Sequence, residues 1–221
     1  MGSFKYLNKF YRNNLVEKAI ELGYREDNLL ILKGDKKSLL EKWPQTYNNL
    51  KTCSHHKDER SFLEYGQDLV ASWVFEDDFL KMMKEQGLII KSSGSDKERV
   101  ILSNKNVSSS SDFHVLLDGN IVSLELMSDY TGYWSKEGQI DLRDSKFNKM
   151  KKEKSLFVGL SLTDDLFIIK DFSKDIEFTY IRNHRPYGFK PAYRFSIDKS
   201  NLIPFTFKKL SEMIKKYINE R

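Results

Sequence analysis

A β-hairpin signal at residues 113–127 constrains the fold of this chain more than any other stretch of its sequence. Two runs of strand-forming residues, 113–117 and 121–127, flank the triplet Asp118-Gly119-Asn120. An Asp-Gly pair between two such runs is a typical signal of a tight hairpin turn. The sequence therefore predicts two antiparallel strands in this segment.

The rest of the chain is predicted to form helices before this hairpin and a mixture of helices and strands after it. The predicted helices cover residues 4–22, 36–43, 59–86 (with a bend or break near Gly66), 141–153 and 205–217. The further strands cover residues 88–90, 99–102, 156–162, 166–169, 178–181 and 192–197, and the connections include residues 47–57 and 103–111. This order predicts an α/β fold with a mixed central β-sheet flanked by helices.

The composition indicates a globular protein of a reducing compartment. Hydrophobic residues make up 39% and aromatic residues 13% of the 221 residues, which is enough for a packed core and excludes disorder of the whole chain. The single cysteine excludes an intrachain disulfide, and no apolar run approaches the roughly 18 residues that a membrane span needs. The first ten residues lack the apolar stretch of a signal peptide. We therefore expect a cytoplasmic protein without a membrane partner.

Positive charge is concentrated in the last part of the chain. The whole sequence has 37 basic and 32 acidic residues, whereas residues 178–221 contain ten basic residues and three acidic ones. A basic region suits a polyanionic partner, because each contact to a phosphate releases a counterion. The alternative is a lysine-rich composition that covers ordinary protein surface.

The hairpin also places two carboxylates where a metal ion could bind. Side chains alternate between the two faces of a strand, so Glu125 points away from the packed layer to which Leu124 and Leu126 belong. Asp112 lies where the chain enters the first strand, and the hairpin brings that point close to the end of the second strand. Two converging carboxylates suit Mg²⁺, which binds a few protein oxygens and keeps several waters.

These residues resemble a known family. Asp112, followed on the next strand by Glu125-Leu126-Met127, is similar to the paired motif of the PD-(D/E)xK nuclease superfamily, which includes many type II restriction endonucleases. The order of elements over residues 59–170 is similar as well: a helix with a carboxylate (here Glu64), a strand with Asp, a hairpin, a strand with the acidic triplet, and a crossover helix.

The resemblance implies a restriction-endonuclease-like core within an α/β domain over residues 58–221, preceded by an N-terminal helical region over residues 1–57. It implies an endonuclease of the restriction or phage/homing type that hydrolyses phosphodiester bonds of double-stranded DNA. Asp112, Glu125 and Glu64 would hold Mg²⁺, for which Mn²⁺ may substitute, and all three would be catalytic. A homodimer is expected, because cutting both DNA strands takes two active sites.

Two positions depart from the motif of the superfamily. Ser111 stands where the family usually has proline, at a position that varies. Met127 stands where the family has its lysine, and a thioether can neither orient an attacking water nor offset negative charge on a phosphate. Either the lysine comes from another position, or the site is inactive.

Lys146 is the candidate for a relocated catalytic lysine. Some related nucleases supply the lysine from the helix that follows the second strand, and Lys146 lies there between Leu142 and Met150 in an apolar arc. If this arc faces the sheet, Lys146 can reach the carboxylates. Lys149, next to the same arc, is the second candidate. The alternative is a lysine whose stem covers apolar surface while its ammonium group stays in water.

Two segments suit contacts to nucleic acid. Residues 180–190 interleave aromatic and basic side chains, and the cations there and just beyond that could contact phosphates or base edges are Arg182, Arg185, Lys190 and Arg194. Tyr133 and Trp134 follow Glu125 closely and could stack on a base or a sugar. The alternatives are a surface β-ribbon without a ligand and a loop that covers the edge of the sheet.

Three other functions are compatible with the sequence. A catalytically inactive DNA-binding module of the same fold would explain Met127. An RNA-directed endonuclease of the same superfamily is also compatible, because no residue of this chain distinguishes an RNA substrate from a DNA substrate. An unrelated α/β protein with a basic surface would show no salt-dependent affinity for DNA.

Overall fold

The structure is a computed structural model that describes residues 2–53, 60–94, 96–103 and 111–221. The chain divides into two compact units, Met1–Lys81 with Gly94–Ser110 and Met82–Ser93 with Ser111–Arg221. The predicted boundary between residues 57 and 58 falls in 54–59, outside the described residues.

The described part of the first unit is built from helices. In chain order these are α1 (Ser3–Phe10), α2 (Leu15–Glu21), α3 (Glu26–Lys33), α4 (Lys36–Lys42), α5 (Pro44–Cys53) and α6 (Phe62–Glu85), of which α6 continues into the second unit. The predicted helix over residues 4–22 is two helices, because Arg12 and Asn13 adopt positive φ angles of 54° and 65° between them. Pro44 begins a further helix where a connection was expected, which agrees with the preference of proline for the first helical turn.

Helix α6 passes Gly66 without the predicted break. A Cβ atom at this position would lie 2.8 Å from Leu50 Cδ2 and 3.1 Å from Ile31 Cγ2. The glycine therefore permits close packing of α6 on α5 and α3 and does not mark a bend.

A network of charges around Arg99 fixes a segment that the sequence predicts to be a strand. Residues 99–103 are irregular, and the guanidinium of Arg99 contacts Asp77 Oδ1 at 2.6 Å and Glu76 Oε2 at 3.0 Å. The Tyr24 hydroxyl donates to Asp77 Oδ2 at 2.6 Å, and burial together with the charge of Asp77 raises the pKa of Tyr24. The predicted loop over 103–111 lies mostly outside the described residues, which resume at Ser111.

The second unit contains two sheets. Its strands are β1 (Ile89–Ser92), β2 (Phe113–Leu117), β3 (Asn120–Asp129), β4 (Gln139–Arg143), β5 (Leu156–Ser161), β6 (Leu166–Asp171), β7 (Thr179–His184), β8 (Lys190–Ser196) and β9 (Ile203–Pro204). The larger sheet has the order β1-β2-β3-β5-β6-β9, and the smaller one has the order β4-β8-β7. In the larger sheet β3 and β5 are parallel, and all other neighbours are antiparallel. The predicted mixed sheet is thus confirmed.

Three helices accompany these strands: α7 (Tyr133–Glu137), α8 (Asp144–Glu153) and α9 (Phe207–Asn219). The predicted helix over 141–153 begins at Asp144 instead, because Asp141 and Leu142 belong to strand β4. Helix α8 and the smaller sheet enclose one apolar cluster with the larger sheet, which includes Phe147, Phe157 and Phe195. The fold class is therefore mixed α/β, with a six-stranded mixed sheet flanked by helices.

No helix in residues 2–53, 60–94, 96–103 and 111–221 combines the length and the apolar character needed to cross a bilayer.

Candidate active site

Glu125 lies at the middle of β3 and is buried. Its register partner on the parallel strand β5 is Phe157, so both side chains point to the face that α8 and the smaller sheet cover. Leu124 and Leu126 point to the opposite face, as predicted, but that is not the only packed face. Glu125 therefore points away from the layer of Leu124 and Leu126, as predicted, but its own face of the sheet is packed as well and leaves it only 3% exposed.

The two carboxylate oxygens of Glu125 have different surroundings. Oε1 is 2.5 Å from the ammonium nitrogen of Lys146. Oε2 is buried and has no hydrogen-bond partner among the described residues. Buried carboxylate oxygens usually accept a hydrogen bond, so Oε2 is an acceptor that a donor or a cation could use.

Lys146 reaches Glu125 from helix α8. Phe147 and Met150 form the buried side of this helix, and the side chain of Lys146, which is 35% exposed, lies at the border of that side. The apolar arc that predicted this orientation included Leu142, which belongs to β4. The contact forms nevertheless, because α8 covers the face of the sheet on which Glu125 lies. Lys149, the second candidate, forms no ion pair with Glu125.

Asp112 lies immediately before β2 and contacts the backbone of β3. Its Oδ2 atom accepts a hydrogen bond of 2.8 Å from the backbone N–H of Leu126, the residue that follows Glu125. The hairpin therefore brings Asp112 to the peptide bond next to Glu125. Ser111, at the position of the family's proline, is buried and donates from its hydroxyl to Glu153 Oε2 at 2.5 Å.

Glu64 lies in the first unit, where it caps helix α6. Its Oε2 atom accepts from the backbone N–H of Ser61 at 2.7 Å, and Ser61 Oγ accepts from the backbone N–H of Glu64 at 3.2 Å. This reciprocal pair is a capping box, which the Ser-x-x-Glu spacing in the sequence could have identified. The metal-binding role of Glu64 stays a prediction.

The carboxylates of β2 and β3 match the needs of one small divalent cation. Within the described ranges, no group of three or more His, Cys, Asp or Glu side chains is arranged to hold a metal ion. Mg²⁺ does not require such a group, since it is commonly bound through one or two carboxylates and keeps several waters. The donor set of Asp112 and Glu125 fits this pattern, and Glu125 Oε2 provides the buried acceptor without a partner.

Asp141 is another buried carboxylate, and no sequence pattern singled it out. Asp141 faces Arg194 across β4 and β8, and Arg194 donates to both its oxygens, at 2.7 Å to Oδ1 and 2.9 Å to Oδ2. His184 Nε2 lies 2.7 Å from Oδ2, and the Tyr187 hydroxyl donates to the backbone carbonyl of Asp141 at 2.6 Å. Burial opposes ionisation of Asp141, but the hydrogen bonds from Arg194 and His184 outweigh it and lower the pKa of this carboxyl.

This network includes one of the four cations predicted to contact DNA. The guanidinium of Arg194 is bound to Asp141, and its contact with DNA stays a prediction. Arg182, Arg185 and Lys190 are exposed on β7, on the following turn and at the start of β8. Within the described part of the chain, none of these three forms an ion pair.

The two predicted stacking residues differ in exposure. Tyr133 is partly exposed, and its hydroxyl accepts from Gln139 Nε2 at 2.5 Å. Trp134 is only 4% exposed and packs against Phe157, with ring centroids 6.4 Å apart. A Cβ atom on Gly159 would lie 2.8 Å from the indole, so β5 leaves space for it. The prediction that Trp134 stacks on a base is therefore wrong.

The geometry of Asp112, Glu125 and Lys146 is the basis for interpreting this site, because no protein-family model and no curated protein sequence matches the chain. Lys146 contacts the carboxylate of Glu125, and Asp112 binds the backbone N–H of the next residue, Leu126. Such a set can bind a divalent cation and can place a positive charge next to a phosphate.

Proposed function

We propose that the protein is a Mg²⁺-dependent endonuclease that hydrolyses phosphodiester bonds in double-stranded DNA. The observation that carries this proposal is the 2.5 Å contact between Lys146 Nζ and Glu125 Oε1. It supplies from helix α8 the ammonium group that Met127 does not supply from β3. A lysine whose only role is to cover apolar surface would have its ammonium group in water.

The order of elements supports the same proposal. Helix α6 precedes the sheet, Asp112 precedes β2, the hairpin leads to Glu125 on β3, and α8 lies in the crossover to the parallel strand β5. This is the order that the resemblance to the PD-(D/E)xK superfamily implies. A restriction-endonuclease-like core is accordingly part of the proposal.

Each side chain of the site has a role in this reaction. Asp112 and Glu125 would hold Mg²⁺, or Mn²⁺ in its place. When bound, the ion stabilises negative charge and lowers the pKa of a coordinated water. Glu125 holds the ammonium group of Lys146 at the site, where it can orient the attacking water and offset the charge that develops on the phosphate.

The charges of the second unit support DNA as the substrate. Arg182, Arg185 and Lys190 provide exposed cations for DNA phosphates, and Tyr133 provides a partly exposed ring. Cleavage of both DNA strands requires two active sites, and a homodimer would supply them.

Incubation of supercoiled and linear DNA with the protein and Mg²⁺ or Mn²⁺ tests the proposal. The unaltered protein should produce discrete fragments, and Glu125→Ala and Lys146→Ala should produce none. Lys152→Ala is the matched control, because Lys152 is exposed on the same helix, and it should cleave normally. Cleavage that is lost in Glu125→Ala but kept in Lys146→Ala would keep the enzyme and reject the catalytic role of Lys146.

Met127 favours a second candidate, an inactive DNA-binding module. Its side chain packs against the apolar cluster under the smaller sheet and provides no charge. This candidate predicts salt-dependent DNA binding by the unaltered protein without cleavage of any DNA or RNA. Cleavage of RNA alone would instead assign the site to an RNA-directed endonuclease.

A further inference from the structure

An exposed phenylalanine lies at the tip of the β7–β8 hairpin. Phe189 is 66% exposed and has a φ angle of +63°, directly after Gly188 with a φ angle of +66°. Bulky residues with positive φ are genuine outliers, because the Cβ atom crowds the backbone. A glycine would fit this position without strain, so neither burial nor backbone geometry explains the aromatic ring.

The hairpin tip is held in place by hydrogen bonds at its base. The backbone N–H of Phe189 donates to the carbonyl of His184 at 3.0 Å, and the N–H of Gly188 donates to the carbonyl of Arg185 at 3.0 Å. The Tyr187 hydroxyl and the His184 ring both bind to Asp141 on β4. The ring of Phe189 is therefore presented from a fixed turn.

The surroundings of this ring carry positive charge. Arg182, Arg185 and Lys190 are exposed next to it on the same hairpin, and the described residues offer none of the three an ion-pair partner. An apolar side chain among exposed cations is complementary to a polyanion with an apolar interior, which describes the stacked bases of duplex DNA.

We propose that Phe189 inserts between base pairs of double-stranded DNA and partly unstacks them, while the flanking cations contact the phosphates. This inference rests on the proposed function in one respect, namely that duplex DNA is the substrate. Apolar wedges of this kind kink and unwind DNA and allow it to contact more of the protein surface.

A single torsionally constrained DNA duplex in magnetic tweezers measures this unwinding directly. The measurement is made in EDTA, so that no metal-dependent cleavage takes place. The unaltered protein should shift the rotation curve of the DNA toward unwinding. Phe189→Gly should abolish the shift and weaken DNA binding about tenfold, the loss expected for one aromatic stacking contact.

Three control measurements separate the wedge from a structural role. Phe189→Gly should also have a higher melting temperature, because glycine relieves the positive φ, and a purely structural phenylalanine would not combine this gain with a loss of unwinding. Phe189→Leu should retain the shift, since leucine also serves as a wedge. Ile89→Ala should leave it unchanged, because Ile89 is equally exposed, at 67%, but lies on β1.

Unwinding by Phe189→Gly equal to that of the unaltered protein would overturn the wedge. The wedge would also be overturned if the unaltered protein retarded DNA in a gel but did not shift the rotation curve. The proposed endonuclease would stand in that case. Failure of the unaltered protein to bind DNA at all would overturn both proposals.

Discussion

At the scale of single residues, the structural role of Asp112 can be separated from its proposed role in metal binding. Its Oδ2 atom accepts the backbone N–H of Leu126, which fixes the start of β2 against β3. Its negative charge, in contrast, is needed only if the carboxylate binds a cation. An amide in place of the carboxylate keeps an oxygen acceptor of the same shape and removes the charge.

We therefore expect Asp112→Asn to fold normally and to lose Mg²⁺-dependent DNA cleavage. Asp112→Ala should lose cleavage as well and should also destabilise the protein by about 1–2 kcal/mol, because the Leu126 amide loses its acceptor. Cleavage assays together with urea unfolding of both variants measure the two effects. Full cleavage by Asp112→Asn would remove Asp112 from the proposed site.

The same scale shows which site residues a sequence can identify. Asp112 and Glu125 could be selected because an Asp-Gly turn fixes the hairpin register locally. Lys146 was selected on an apolar arc that included Leu142 of β4, so its contact with Glu125 depends on how α8 covers the sheet and not on the helical period alone.

Trp134 packs against Phe157 of β5, and Arg194 pairs with Asp141 of β4. Each partner lies on a strand that is remote in sequence from the residue it contacts. No local pattern encodes such contacts, so the burial of Trp134 and the ion pair of Arg194 with Asp141 could not be predicted.

At the scale of elements, strand β4 accounts for the main difference from the predicted fold. The strand over residues 139–143 is short and has no turn signal before α8, so Asp141 and Leu142 were assigned to the predicted helix over 141–153. Pairing with β8 makes them a strand, and this pairing centres on Asp141 and Arg194. Asp141 also holds His184 of β7, so one carboxylate joins all three strands of the smaller sheet.

This role predicts a pH-dependent contribution to stability. The pKa of Asp141 in the folded protein lies below its ordinary value of 3.8, so the unfolded chain takes up the proton first as the pH falls. The stabilisation is therefore complete above the unfolded pKa and is lost as the pH falls through the folded one. Asp141→Asn should destabilise the protein by about 1–2 kcal/mol at pH 7, because it removes the charge to which Arg194, whose side chain is 34% exposed, donates.

Urea unfolding of the unaltered protein and of Asp141→Asn between pH 7 and pH 3 measures this contribution. The difference in unfolding free energy between the two proteins should shrink toward the acidic end of the range. A difference that stays constant over the whole range would show that the charge of Asp141 does not join the three strands.

At the scale of the whole molecule, the fold class could be predicted because strands and helices have different periods, and the mixed sheet confirms it. The arrangement of the chain in two compact units could not be predicted, since the division runs through the continuous helix α6.

The charge is also a property of the whole molecule: a net +5 is modest, but ten basic residues lie in residues 178–221.

This distribution predicts a salt-dependent affinity for DNA that the hairpin cations dominate. The logarithm of the association constant should fall linearly with the logarithm of the salt concentration, with a slope of about −0.9 for each neutralised phosphate. Arg182→Ala, Arg185→Ala and Lys190→Ala should each make the slope less steep by about one. Lys33→Ala, on α3 of the first unit, is the control and should leave the slope unchanged. If the slope is unchanged in all four variants, the DNA binds to another surface.

The parallel pair β3 and β5 has a consequence for how this site is assembled during folding. The hairpin of β2 and β3 closes over a two-residue turn, and such local pairing forms within microseconds. Pairing of Leu124 with Leu156 must wait until the intervening chain, with α7, β4 and α8, has been brought back across the sheet. Lys146 travels with that segment, so we expect the nascent chain to acquire its two carboxylates early and its ammonium group in a late, slower step.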